Sequence, residues 1–143
     1  MTKDDIIIAA MAAGGTYSLT PVQIQKLLFL VDKRAAAKLD GPSFNFEPYH
    51  YGPFDREIYE RLEALARNGL VEIIGTSYSR TRSYRLTPKG LEIGNKILGR
   101  LPEPVREFME KLSTFVRSLT FVQLVSAIYR AYPEMRVNSV LNG

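Results

Sequence analysis

A helix that leads through a glycine straight into two short β-strands is the feature that most limits how this chain of 143 residues can fold. Asp55 is a good N-cap, and a helical pattern follows it to Asn68, after which Gly69 suits a left-handed turn. Residues 70–74 and 82–86 are then typical of strands, and the polar link between them predicts a β-hairpin. A helix followed at once by a hairpin is the order of a winged helix, in which the helix faces a groove and the hairpin is the wing.

Two helices are predicted before this unit. The first covers residues 4–13. The second begins at Pro21, because Thr20 and Gln23 form a capping box around a proline at the first helical position. Its apolar residues are spaced for one broad face, so it should lie at the centre of the core and end near Lys38.

Three further helices are predicted after the hairpin, beginning at Thr87-Pro88, at Pro104 and after Thr120. The helix from Pro104 has an apolar stripe made of Val105, Phe108, Leu112, Phe115 and Leu119. Residues 133–143 are predicted to be a tail that docks through Val137, Val140 and Leu141. Residues 101–143 are therefore interpreted as a helical extension packed on the winged-helix-like part. The sequence predicts one domain over 1–143, mostly α-helical with a small β-hairpin, winged-helix-like, with additional C-terminal helices.

The composition excludes several kinds of site. The chain has no cysteine, which excludes a disulfide scaffold, a thiolate metal site and a cysteine nucleophile. A single histidine, His50, excludes any site that needs two. No nucleotide-binding, zinc-protease or serine-hydrolase motif occurs, so the sequence predicts no catalytic residue, no metal and no cofactor. A small hydrolase stays an alternative that requires His50 beside a carboxylate and a hydroxyl in a pocket.

Positive charge is concentrated around the predicted hairpin. The formal net charge of the chain is +4, from 19 basic and 15 acidic side chains. Residues 77–100 alone contain six basic side chains and one acidic one, a net charge of +5. A DNA-binding regulator would contact phosphates through this segment and the preceding helix. The residues in question are Arg80, Arg82, Arg85, Lys89, Arg56 and Arg67. This alternative includes a homodimer joined through the helix over 104–118.

The helix before the hairpin carries balanced charge. On the side opposite to Ile58, Leu62 and Leu65, its two arginines are matched by Glu60 and Glu63. Glutamates at i and arginines at i+4 also predict intrahelical ion pairs, Glu57 with Arg61 and Glu63 with Arg67. Such a helix is not the strongly basic element that phosphate binding favours.

An aromatic segment points to a different partner. Six aromatic residues lie within 16 positions: Phe44, Phe46, Tyr49, Tyr51, Phe54 and Tyr59. Surface tyrosines supply rigid contact area with a polar group, as protein interfaces favour. The sequence therefore predicts a protein-binding face made of Tyr49, His50, Tyr51, Phe54 and Tyr59. The alternative is that these rings close the core beneath a long loop over 43–53, where Pro48 allows at most a short edge strand.

Two motifs in this region resemble a known family. Ile24-Gln25-Lys26-Leu27-Leu28-Phe29 is followed by Tyr49-His50-Tyr51-Gly52-Pro53 and then by Ile58-Tyr59. This order is similar to that of the Panacea domain of SocA-like antitoxins and of the related YwgA-like uncharacterised proteins, although the tryptophan usual near the family's Gly-Pro turn is absent. Leu86-Thr87-Pro88-Lys89-Gly90 also resembles a strand-to-helix junction of winged-helix regulators. The resemblance implies a non-catalytic, antitoxin-like regulatory protein that binds and neutralises a partner protein, such as a toxin. A winged-helix transcriptional regulator that binds double-stranded DNA is the alternative.

The start of the chain does not resemble a targeting segment. Asp4 and Asp5 lie where a signal peptide has basic residues, and the apolar run over 6–13 is too short to span a bilayer. The sequence therefore predicts a cytoplasmic protein with no membrane partner.

Overall fold

The described part of the structure, a computed structural model, covers residues 1–75 and 82–141. Within these residues the protein has six α-helices and two small antiparallel strand pairs, which confirms a mostly α-helical fold with a small β-hairpin. In chain order the elements are α1 (Lys3–Ala12), α2 (Pro21–Arg34), β1 (Glu47–Tyr49), β2 (Gly52–Phe54), α3 (Arg56–Arg67), β3 (Val71–Ile74), β4 (Ser83–Leu86), α4 (Pro88–Arg100), α5 (Glu103–Ser118) and α6 (Phe121–Ala131).

The helix and hairpin at the centre of the sequence form as predicted. Asp55 caps α3, and its carboxylate accepts a hydrogen bond from the Glu57 N–H at 2.9 Å. Gly69 adopts φ 76°, a left-handed conformation that leads the chain into β3. The β3–β4 hairpin, called the wing below, pairs antiparallel, and Leu19 adds a bridge to it through two 2.8 Å hydrogen bonds with the Tyr84 main chain.

A single hydrophobic core connects both halves of the chain. Residues 6–12 of α1 are all buried, and so are residues 24–31 of α2, which lies at the centre. The helix α5 packs on α2 and α1, and α6 also contacts α2. Buried apolar residues of α5 and α6 therefore belong to the same cluster as those of α1 and α2.

The end of α2 differs from the prediction. The helix stops at Arg34, and a 3-10 turn over Ala36–Lys38 follows. The chain then turns back, so that the Asp32 carboxylate accepts hydrogen bonds from the N–H groups of Ser43 and Phe44, at 2.7 and 3.2 Å. These contacts join residues on either side of a loop and produce no periodic pattern in the sequence, so the end of α2 could not be predicted from them.

The buried face of α5 is also displaced from its predicted stripe. The side chain of Phe115 is 43% exposed, and the buried set is Val105, Met109, Leu112, Ser113 and Val116. Ser113 lies on this face because the chain after α1 passes close to it. A Cβ added at Gly14 would lie 2.5 Å from the Ser113 Oγ. A prediction from the spacing of apolar residues does not include Ser113 in the buried face, because serine is polar although it is small enough for this crowded position.

Residues 43–53 contain more structure than an edge strand and a loop. The strands β1 and β2 form a second hairpin, in which Pro48 lies opposite Pro53. A two-stranded ribbon has a free edge on each strand, where the missing N–H of a proline breaks no hydrogen bond.

The C-terminal tail docks on this second hairpin through its main chain and an amide. Asn138 Nδ2 donates to the Pro48 carbonyl at 3.1 Å, and the Val140 N–H donates to the His50 carbonyl at 2.9 Å. The side chains of Val137 and Val140 are 75% and 56% exposed, so the prediction that these two valines dock the tail is wrong. Separately, none of the helices in the described ranges has the length and apolar character needed to cross a bilayer.

A close approach between α4 and the start of the wing gives a first prediction. A Cβ at Gly90 would lie 2.0 Å from the Leu70 carbonyl oxygen, a main-chain atom that cannot move alone. We expect Gly90→Ala to lower the free energy of unfolding by roughly 3 kcal/mol, because α4 must shift off the wing.

Gly99→Ala in the same helix is the matched control, since nothing lies within 4 Å of its added Cβ. It should raise the free energy of unfolding by up to about 1 kcal/mol through helix propensity. Urea denaturation followed by circular dichroism measures both changes, and equal stabilities of the two variants would contradict the close approach.

Candidate functional site

The aromatic residues singled out in the sequence lie side by side on the β1–β2 hairpin and the start of α3. His50 stacks on Tyr49 with ring centroids 4.3 Å apart, and Tyr49 stacks on Phe54 at 4.8 Å. Phe54 is 5.7 Å from Tyr59, which is 6.3 Å from Tyr84. His50 and Tyr49 are exposed, Phe54 and Tyr59 are half-buried, and Tyr84 is buried. This ring row therefore runs from the solvent into the core, with its outer rings at the surface and its inner rings packed.

Tyr51, on the other side of the hairpin turn, contacts α6. Its ring meets that of Phe121 edge-on, with centroids 5.0 Å apart. Tyr49, Tyr51, Phe121 and Val122 are 46%, 42%, 42% and 54% exposed, and together they are called the aromatic patch. Phe121 and Val122 are not among the partner-binding residues predicted from the sequence. The available signal was an apolar pair at the start of α6 outside its buried stripe of Leu124, Val125 and Ile128.

A buried hydrogen-bond network attaches the hairpin to α2. Gln25 is 1% exposed, and its side chain accepts from the Asp55 N–H and donates to the Asp55 carbonyl, both at 2.9 Å. The Asp55 carboxylate in turn accepts from the N–H groups of Asn45 and Glu57, each at 2.9 Å. The residue that ends β2 and caps α3 is thereby held from three segments of the chain.

Lys26, the neighbour of Gln25, is buried with one hydrogen-bond acceptor. Its side chain is 3% exposed, and its ammonium donates to the Pro53 carbonyl at 3.1 Å. Within residues 1–75 and 82–141, no carboxylate forms an ion pair with it. Burial lowers the pKa of Lys26 to about 7, because the charged form loses its hydration.

A cleft of about 140 Å³ opens between α2, the hairpin and α3. It is lined by Val22, Gln25, Lys26, Tyr49, Tyr51, Gly52, Phe54 and Tyr59. Gly52 has φ 98°, and a Cβ there would lie 3.4 Å from both the Lys26 Cε and the Tyr129 ring. The structure therefore brings four of the five predicted partner-binding residues, and two polar residues of the α2 motif, around one opening.

His50 is placed at the rim of this region. Its ring stacks on Tyr49, and its carbonyl accepts the hydrogen bond from the tail. In the part of the chain that the structure describes, no carboxylate and no hydroxyl pairs with its ring, so the arrangement that a hydrolase requires is not seen there. The same part contains no group of three or more His, Asp, Glu or Cys side chains that could hold a metal ion.

The wing arginines that the structure describes face glutamates. Arg82 Nη2 lies 3.5 Å from Glu63 Oε1, and Arg85 Nη2 lies 2.6 Å from Glu72 Oε2 on the facing strand. Glu63 thus contacts Arg82 and not Arg67, contrary to the predicted helical pair, whereas the Glu57–Arg61 pair forms at 3.3 Å.

The other basic residues predicted to contact phosphates are spread out. Arg56, Arg67 and Lys89 are exposed, and Arg80 lies outside the described residues. Arg56 and Arg67 share the exposed side of α3 with Glu60 and Glu63, so positive charge there is offset. Because phosphate neutralisation supplies most of the affinity for DNA, this face gives the DNA-binding alternative little support.

The chain was compared with models of known protein families and with curated proteins, and neither comparison found a match. The resemblance to SocA-like antitoxins therefore stays a prediction based on the two motifs.

The buried ammonium of Lys26 predicts how stability changes with pH. Its pKa is about 7 in the folded protein and close to the ordinary 10.5 in the unfolded chain, so the unfolded state binds more protons between these values. The contribution of Lys26 to the free energy of unfolding must then rise as pH increases from about 7 to about 10.5, by a few kcal/mol in total. Lys26→Met lacks this titration, so its stability relative to the wild type should be highest at low pH.

Urea unfolding at about pH 6.5 and about pH 9.5 measures the effect. Lys96→Met is the matched control, because Lys96 is exposed and pairs with Glu92 on the surface of α4. Parallel pH profiles for wild type and Lys26→Met would show that Lys26 does not titrate in this range.

Proposed function

We propose that this protein is a non-catalytic, antitoxin-like regulator that acts by binding another protein through the aromatic patch. The observation that carries the proposal is the exposure of Tyr49, Tyr51, Phe121 and Val122 on neighbouring elements, each more than 40% exposed. Large exposed aromatic side chains gathered in one place are typical of protein interfaces, where tyrosines supply much of the binding energy.

The rigidity of the hairpin supports this proposal. Gln25 and Asp55 attach it to α2, and the tail hydrogen bonds to its turn at His50. A surface already held in place loses little conformational entropy when a partner binds, so more of the contact energy appears as affinity.

The convergence of the sequence motifs supports a specific, antitoxin-like role. Gln25 and Lys26 come from α2, and Tyr59 comes from α3. They line one cleft beside the aromatic patch together with Tyr49, Tyr51 and Gly52 of the hairpin. Residues distant in sequence that meet at one surface opening act as a unit. We take the partner to be a toxin in the cytoplasm of the same cell, and we assign no residue a catalytic role.

The proposal predicts that Tyr51→Ala combined with Phe121→Ala weakens partner binding at least tenfold, because both rings leave the centre of the patch. The partner is first recovered from the native host with tagged wild-type protein, and affinities are then measured with purified components by calorimetry. Co-expression should show that wild type relieves growth inhibition by the partner and that the double variant does not.

Tyr17→Ala combined with Phe115→Ala is the matched control, since both rings are exposed, at 68% and 43%, on other elements. It should bind as the wild type does. The proposal fails if wild type recovers no partner, or if both double variants bind equally well. A gel shift with a salt slope of about −3.6, the value for about four neutralised phosphates, would support the DNA-binding alternative instead.

A further inference from the structure

We propose that the cleft at Lys26 is a receptor for a carboxylate, and that the partner protein places an aspartate or glutamate side chain with apolar neighbours there. This inference rests on the proposed function, because the same partner must cover the aromatic patch.

In the part of the chain that the structure describes, the Lys26 ammonium has no counter-ion. Lys26 has three N–H groups, and within residues 1–75 and 82–141 its only hydrogen-bond acceptor is the Pro53 carbonyl. A buried charge without an opposite charge is costly. A carboxylate in the cleft would accept from the remaining N–H groups and remove that cost, in a charge-assisted hydrogen bond about twice as strong as a neutral one.

The size and lining of the cleft suit a single carboxylate. Its volume of about 140 Å³ equals that of roughly five water molecules at ~30 Å³ each. This space is sufficient for a carboxylate with its methylene groups. Four aromatic residues line the cleft with Lys26, and such a low-dielectric wall strengthens an ion pair inside it. In the described part of the chain, Lys26 is the only cationic residue that lines the cleft. A single positive charge matches the one negative charge of a carboxylate and not the two of a phosphate.

The position of the cleft beside the aromatic patch indicates that the carboxylate belongs to a protein. Tyr49 and Tyr51 belong both to the cleft and to the aromatic patch. An acidic side chain flanked by apolar residues on one protein segment can therefore occupy both at once. A free carboxylate would fill the cleft and leave the patch uncovered.

The titratable groups around Lys26 favour an external acid. Those that line the cleft with it are Tyr49 and Tyr51 from the hairpin and Tyr59 from α3, and no carboxylate is among the lining residues. Tyr129 of α6 packs against Gly52, and the Asp55 carboxylate already accepts two main-chain N–H groups. Burial raises the pKa of Tyr59 to about 12, so Tyr59 does not supply a negative charge.

The test uses two peptides that differ in one carboxylate, Ac-Leu-Glu-Leu-NH₂ and Ac-Leu-Gln-Leu-NH₂, with the full chain. Nuclear magnetic resonance follows the Lys26 Cε signal during titration. We expect the glutamate peptide to bind at least tenfold more tightly at about pH 6.5 and to shift the Lys26 signal. Its affinity should fall as pH rises above 7, because the empty cleft then loses the lysine proton, while the glutamine peptide should show no such change.

Variants locate the effect. Lys26→Met should abolish the preference for the glutamate peptide, and Lys96→Met should keep it. The comparison of the two peptides in the wild-type protein requires no variant, so the proposal can be tested even if Lys26→Met does not fold. Propionate against propionamide repeats the comparison without any partner-like residues, and only propionate should shift the Lys26 signal.

The outcomes separate this inference from the proposed function. If the two peptides bind equally and Tyr51→Ala with Phe121→Ala weakens both, the carboxylate receptor is wrong and the binding patch stands. If the glutamate preference holds but the same double variant still binds the cellular partner, the cleft stands and the proposed function is wrong. If neither the glutamate peptide nor propionate shifts the Lys26 signal, the cleft is not a carboxylate receptor.

Discussion

Two hydrogen bonds between the Gln25 side chain and the Asp55 main chain attach the β1–β2 hairpin and the start of α3 to the central helix α2. Both partners are buried. Loss of the amide would leave the Asp55 N–H without a hydrogen bond, at a cost of about 1–3 kcal/mol, whereas the Asp55 carbonyl would keep the one it accepts from the Ile58 N–H at 3.2 Å. Gln25 belongs to the central helix, and Asp55 is where the hairpin ends and α3 begins. The hairpin, the cleft that it borders and the start of α3 are therefore attached to one core element.

Features set by a few neighbouring residues were predictable from the sequence. The capping boxes at Thr20 and Thr120, the cap at Asp55 and the left-handed Gly69 all occur where local chemistry places them. What the sequence could not supply depends on distant contacts. The second hairpin is held by α2 and by a tail some ninety positions away, and the chain at Gly14 lies against Ser113 on the buried face of α5.

In the candidate site, too, the local features were predictable and those that depend on distant contacts were not. An aromatic cluster within a few residues is visible in the sequence, whereas Phe121 joins it only because α6 folds against the hairpin. Lys26 is part of the α2 motif, but its burial could not be predicted, because a pattern of apolar residues does not reveal which polar neighbour is buried. Likewise, the positive charge of Arg82 and Arg85 is offset by Glu63 and Glu72, which are 19 and 13 positions away from them.

The ring row has a spectroscopic consequence. The protein has no tryptophan and eight tyrosines, so its near-ultraviolet absorption and fluorescence come chiefly from tyrosine. Tyr49 and Tyr59 belong to the row and, with Tyr51, line the cleft, so three of the eight chromophores surround the same opening. Contact with any molecule at that surface alters the environment of several of them together, which makes the unlabelled chain its own optical reporter of occupancy.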